Sequence, residues 1–131
     1  MLGRLTAIIR PGDSSSSPSV SSAYSNSCSA GNTNPCLELS TSTRFTVGGP
    51  TSTTHEWYDG WGHLIETRAP GPNGQDILTY TTYDTMQRVQ DKSLPYSVPT
   101  GSGYVSPDLS KARSQTSYDA LLSAASDNIQ A

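Results

Sequence analysis

Trp57-Tyr58-Asp59-Gly60-Trp61-Gly62-His63-Leu64 is the stretch on which the reading of this chain depends. Two other segments align with it on a Tyr-Asp pair. They are Thr82-Tyr83-Asp84-Thr85-Met86-Gln87-Arg88-Val89 and Ser117-Tyr118-Asp119-Ala120-Leu121-Leu122. Near the start, Gly3-Arg4-Leu5 fits the second half of the same unit. Self-similarity of this kind marks a chain built from repeated supersecondary units.

Each position in the unit has a physical task. Tyr favours a strand, and its ring can lie across the neighbouring strand. The Asp that follows can accept hydrogen bonds from backbone N–H groups two residues on and so start a turn. Gly62 stands where a tight hairpin needs positive φ. Arg or His, then Leu or Val, opens the return strand with the apolar side chain toward the packed face. One unit is therefore one β-hairpin that cannot bury its face alone, and stacked neighbours complete the core.

Working outward, alternation and turn signals dominate, and no long segment holds a helical period. The spacing predicts a half unit over 1–12, with a strand from Leu2 to Ile9, and a Ser-rich loop and strand over 13–49. Within that loop a short strand is expected near Val20–Tyr24, and a longer one runs from Leu37 to Val47. Complete hairpin units follow at 50–74 and 75–94, a Pro/Gly/Ser-rich loop insertion at 95–112, and a degenerate unit at 113–131. The expected fold is all-β: antiparallel hairpins in a twisted, open, spiralling sheet, with long loops near 13–36 and 95–112.

Composition narrows the function. Hydrophobic residues make up 33% of the chain, mean hydropathy is -0.48, and roughly a quarter or more of the residues are Ser or Thr. Few large apolar side chains are available for an ordinary core, so the sheet is expected to lean on neighbours. A net charge of -3, with eight scattered Lys and Arg, provides no footprint for nucleic acid. No stretch approaches the roughly 18 apolar residues of a membrane span. The beginning of the chain, interrupted by Arg10-Pro11, does not read as a signal peptide, so an export signal would lie elsewhere.

Several residues invite a chemical reading. His55, Glu56, Asp59, His63 and Glu66 cluster in sequence, but a strand–turn–strand path does not force them into a metal cage or an acid–base pair. They are expected to be hairpin-face and turn residues, with no metal, no cofactor and no catalytic residue. Trp57 and Trp61 flank the first Tyr-Asp turn. Either they pack on the sheet, or they serve as exposed platforms for a carbohydrate-binding or adhesive surface. Cys28 and Cys36 close a short loop. In an exported protein they would pair as a disulfide worth about 2–4 kcal/mol; otherwise they are two thiols on a variable loop.

The pattern Tyr-Asp-x-x-Gly-Arg-Leu resembles the YD repeat of the RHS family, which includes bacterial Rhs polymorphic toxins, wall-associated proteins, shell components of Tc toxins, and teneurins. Tyr58-Asp59 with Gly62, His63 and Leu64 matches it, as does Gly3-Arg4-Leu5. Tyr83-Asp84 with Arg88-Val89 matches except for Gln87 at the Gly position, and Tyr118-Asp119 keeps only the first half. The resemblance implies a long antiparallel sheet spiralling into a hollow shell that encloses or presents a toxin or effector domain in a larger secreted or cell wall-associated protein. The implied role is structural, with neighbouring YD repeats of the same parent as partners. The family's self-cleaving Asp site belongs to a closing region with no match in these residues. A start in mid-repeat and an incomplete last unit predict that the chain is a piece of that parent.

Overall fold

The computed structural model of the protein describes residues 3–26, 35–101 and 103–118. Among these, nine strands form one open antiparallel sheet: β1 (Ala7–Ile8), β2 (Val20–Asn26), β3 (Leu37–Arg44), β4 (Thr51–Tyr58), β5 (Leu64–Pro70), β6 (Gln75–Tyr83), β7 (Val89–Ser93), β8 (Tyr96–Pro99) and β9 (Arg113–Gln115). No α-helix occurs among the described residues, and no helix is long and apolar enough to cross a membrane. The strands run as a meander in the order β1-β2-β3-β4-β5-β6-β7-β9, with β8 also paired to β6. From β1 to β7 each strand pairs with its successor, the antiparallel order that sequential connections favour.

Three details depart from the sequence expectations. Among the described residues of the 1–12 segment, the first strand is confined to Ala7–Ile8, which pairs with β2. The strand expected near Val20–Tyr24 is present but longer, β2 running on to Asn26 and pairing along its length with β3. The 95–112 segment is not all loop: β8 resumes pairing with β6 after Pro95, from Leu78↔Tyr96 to Gln75↔Pro99. Proline has no N–H to donate, so the ladder breaks at Leu94-Pro95. Ser93 Oγ fills the gap by accepting the Tyr80 N–H at 2.9 Å, and Leu94 N–H turns to Ala112 O on the other side. The tail beyond Tyr118, including Asp119, lies outside the described residues.

The core lies on one face. Along β6, Asp76, Leu78 and Tyr80 are buried while Ile77, Thr79 and Thr81 are half-exposed, the period-two signature of a strand with one covered side. Register carries that face across the sheet: Leu78 lies opposite Arg68, Tyr80 opposite Glu66, and Glu66 opposite Trp57. Leu78, Tyr80 and Val98 form the buried cluster, with Tyr96 and Val105 packed against it. The reverse face is rich in Thr; Thr67 and Thr79, opposite one another, hydrogen-bond through their hydroxyls.

Candidate functional site: the Tyr-Asp turns and the strap across the sheet

The first Tyr-Asp turn is built around the Asp59 carboxylate. Its Oδ1 accepts the backbone N–H groups of Trp61 and His63, both at 2.9 Å, and its Oδ2 lies 3.1 Å from His63 Nδ1. Asp59 N–H donates to His63 O, and Gly62 N–H donates back to Asp59 O. The second turn repeats every bond. Asp84 Oδ1 accepts Met86 and Arg88 N–H at 2.9 Å, Oδ2 accepts Arg88 Nε at 2.8 Å, and the two backbone bonds recur. Both hairpins carry a register shift just before the Tyr, at Trp57/Tyr58 and at Thr82/Tyr83. The Arg88 amide, and then its guanidinium, hold the Asp84 carboxyl below the usual carboxylate range.

Gly62 has φ 85° and Gln87, at the same place in the second turn, has φ 64°. A side chain in this left-handed region costs roughly 1–2 kcal/mol. A Cβ on Gly62 would touch nothing within 4 Å, so its substitution costs are conformational rather than steric. Gly62→Val is therefore expected to destabilise the first hairpin by about 1–3 kcal/mol, and Gln87→Gly to stabilise the second by about 0.5–1 kcal/mol. Urea midpoints measure both changes. Amide exchange should place the loss for Gly62→Val in β4 and β5, and unchanged protection there would contradict the role given to Gly62.

The turns are tied to one another by a second recurring contact. Tyr83 stacks on His63 with ring centroids 4.5 Å apart, and its hydroxyl donates to Leu64 O at 3.0 Å. Tyr118 lies under the Arg88 guanidinium at 4.0 Å and donates to Val89 O at 3.0 Å. Tyr24 lies under Arg4 at 5.0 Å and donates to Leu5 O at 3.0 Å. In each case the tyrosine of one hairpin binds the Arg/His-Leu/Val pair that opens the return strand of the preceding unit. Tyr58 is the exception. It stands opposite Leu37, and its hydroxyl donates to Glu56 at 3.1 Å. Tyr83→Phe keeps the ring contact and removes one hydrogen bond, so a loss of about 1 kcal/mol in a denaturant titration is expected.

Sequence reasoning placed Tyr58, Asp59, Gly62, Leu64, Tyr83, Asp84, Arg88, Val89, Tyr118, Asp119 and Gly3-Arg4-Leu5 in one repeated pattern; Tyr58 stands outside the interlock, none of the contacts above involves Gly3, and Asp119 lies outside the described residues. It missed Tyr24, which performs the same contact but is followed by Ser25 rather than Asp. It also missed two buried arginines. Arg44 binds Asp13 at 2.8 Å and the carbonyl of Ser17, holding the Ser-rich segment. Arg68 binds Asp76 at 2.8 Å and Gly103 O at 2.8 Å, and also bonds Pro99 O.

The run over residues 103–112 crosses the covered face as a strap. Besides Arg68, Glu66 holds it through the Val105 N–H, which reaches both carboxyl oxygens at 3.2 and 3.3 Å. Tyr80 Oη donates to Asp108 O at 3.3 Å, and Tyr104 meets the Trp57 ring edge-on at 6.2 Å. Glu66 is 1% exposed; its burial raises the carboxyl pKa to about 7, against the weaker pull of the Val105 amide and Arg68. Two clefts flank Tyr104. One of about 190 Å³ reaches Asp59, Ile65, Tyr83 and Asp84, and one of about 200 Å³ reaches Cys36, Glu38 and Trp57.

The five clustered His and acidic residues separate. His55 Nδ1 lies 2.8 Å from Glu38 Oε1, Glu56 binds Tyr58, Asp59 and His63 share the turn, and Glu66 lies under the strap. No group of three or more His, Cys, Asp or Glu among the described residues is placed to hold a metal ion. Trp57 is 4% exposed and Trp61 56%, so only Trp61 could serve as an open platform. Cys36 is buried and is not a free thiol, while Cys28 lies outside the described residues.

A family model for a domain of unknown function, DUF6443, matches residues 37–130. The chain belongs to the DUF6443 family. No curated protein and no solved structure matches it. The DUF6443 match opens at the first residue of β3 and takes in both complete Tyr-Asp turns, Glu66, Arg68 and the strap. It leaves out β1 and β2, and with them the Arg4–Tyr24 contact.

Proposed function

We propose that this DUF6443 chain is a non-enzymatic segment of an RHS/YD-type repeat shell, a wall of hairpins that encloses or presents a toxin or effector domain in a larger exported or wall-associated protein. The observation that carries the reading is the recurring interlock. A tyrosine of one hairpin stacks on the Arg or His of the preceding unit and donates to the backbone of the next residue, at Tyr24, Tyr83 and Tyr118. Such a contact joins hairpins edge to edge, and an open meander extends at either edge by adding more of them. The acidic side chains of the turns are occupied by backbone amides and by their own basic neighbours, which suits turn-forming work better than proton transfer.

The coding DNA on both sides of this chain supplies the test, followed by electron microscopy of the full-length product. In-register Tyr-Asp units on either side and a hollow particle walled by sheet are the expected results. A frame without further units, or a product that packs into a solid domain, would overturn the reading.

A further inference from the structure

Large apolar side chains stand in solvent where the two complete Tyr-Asp hairpins turn. Trp61 is 56% exposed and Met86 70%, and each is the second residue after its Asp. The turn uses only the backbone of that residue, whose amide donates to the Asp Oδ1. A turn of the same kind occurs in the strap, where Ser110 N–H donates to Asp108 Oδ1 and a serine fills the position. Turn geometry therefore does not ask for Trp or Met. Both turns lie on one rim of the sheet, because the β4–β5 and β6–β7 connections leave the meander on the same side. Two strand spacings separate them, about 9–10 Å. In sequence, Leu121 holds the same place after the third Tyr-Asp pair, outside the described residues. We propose that this rim is a docking edge for a lipid bilayer with anionic headgroups, into whose interface Trp61 and Met86 insert side by side.

Two features select a bilayer over a protein partner. The first is area. A stable protein interface takes roughly 800 Å² of surface from each partner. Here the apolar groups are single side chains on separate turns. A bilayer interface accepts isolated side chains at any spacing, and Trp suits it because the ring is apolar while its N–H stays wet.

The second feature is charge. The rim turns its carboxylates inward and its cations outward. Asp59 and Asp84 each accept two backbone amides. In the Arg88–Asp84 pair the arginine side chain is 41% exposed and the carboxylate 19%. Arg4 reaches the same rim through the register of β1 with β2; it lies over the Tyr24 ring and has no carboxylate partner among the described residues. The chain as a whole carries a net charge of -3. At physiological salt, screening confines electrostatics to about 8 Å, so headgroups that meet the rim feel its cations first. The opposite rim lacks this combination. Its exposed Phe45 and Val47 share one loop, and the neighbouring β5–β6 turn carries Pro72, Asn73 and Gly74.

Vesicles of phosphatidylcholine and phosphatidylglycerol in equal parts, with and without brominated acyl chains, test this on the full chain. Trp57 is enclosed beneath Tyr104, so quenching by the brominated chains reads Trp61. Quenching that rises with lipid is expected. In co-sedimentation, Trp61→Ala and Met86→Ala should each weaken partition roughly tenfold, since each takes a large apolar side chain out of the interface. Arg4→Gln should weaken it roughly fivefold on these vesicles and change nothing on phosphatidylcholine alone. Phe45→Ala should leave partition unchanged. All four side chains are exposed, and unchanged urea midpoints separate lost docking from lost folding. The proposal is overturned if the brominated chains leave the fluorescence unquenched, if binding survives Trp61→Ala and Met86→Ala combined, or if Phe45→Ala abolishes it. Sedimentation showing that the rim joins two copies of the chain without binding vesicles would also overturn it. These readouts are independent of the shell reading, which the flanking units and the shape of the full-length product decide.

Discussion

Arg68→Met is expected to lower the unfolding free energy by about 3–5 kcal/mol, the range for removing one partner of a buried ion pair. Methionine keeps much of the side-chain stem but none of the donors. Asp76, 7% exposed, would keep only the Gly101 amide, and the carbonyls of Pro99 and Gly103 would lose their partner. The residue left behind is thus a buried charge, which is why the cost exceeds that of a lost surface contact. Arg88→Met provides the contrast. The Arg88–Asp84 pair is exposed on the arginine side, so its loss should stay within about 1 kcal/mol. Urea denaturation of the two variants measures the difference. Equal losses would mean that Arg68 carries no more than a surface pair. Replacing Asp76 by Leu in the Arg68→Met background should recover part of the stability, because the orphaned charge is then gone.

Leu78→Ala is the second large effect expected, about 2–5 kcal/mol. Leu78 is fully buried in a cluster with Tyr80 and Val98, and the chain has few other places to bury apolar surface. Its neighbour Ile77 points to the opposite, half-exposed face, where truncation should cost about 1 kcal/mol. Thermal or denaturant unfolding of the pair checks the polarity of the sheet directly. An Ile77→Ala loss as large as that of Leu78→Ala would place the core on the wrong side.

The interlocks at Tyr24, Tyr83 and Tyr118 lie along the line of turns, where hairpins meet. The strap lies on the covered face, in a segment that β8 carries back along β6 before it crosses to β9.

What the residues determined alone is the local chemistry of the turns. An Asp that bonds amides two and four residues on, and a Gly at positive φ, act within a few residues of one another, so their pattern is visible in the sequence. Gln87 tests that rule, since it takes the same left-handed backbone without being Gly; the Asp84 bonds to Met86 and Arg88 hold the turn in place. Alternation likewise marked most strands, and with them the antiparallel all-β class. The tertiary structure decided which face is covered, and by what. Trp57 and Trp61 sit four positions apart with similar neighbours, yet one is enclosed by Tyr104 and the other is exposed, because only the strand residue lies beneath the strap. Tyr24 became visible as an interlock through its register with the strand that follows Arg4, not through any residue beside it. Glu66 and Arg68 look in sequence like ordinary solvated strand residues. Their burial depends on amides and carbonyls 39 and 35 residues away, and contacts at that separation are set by how the chain packs rather than by any local preference.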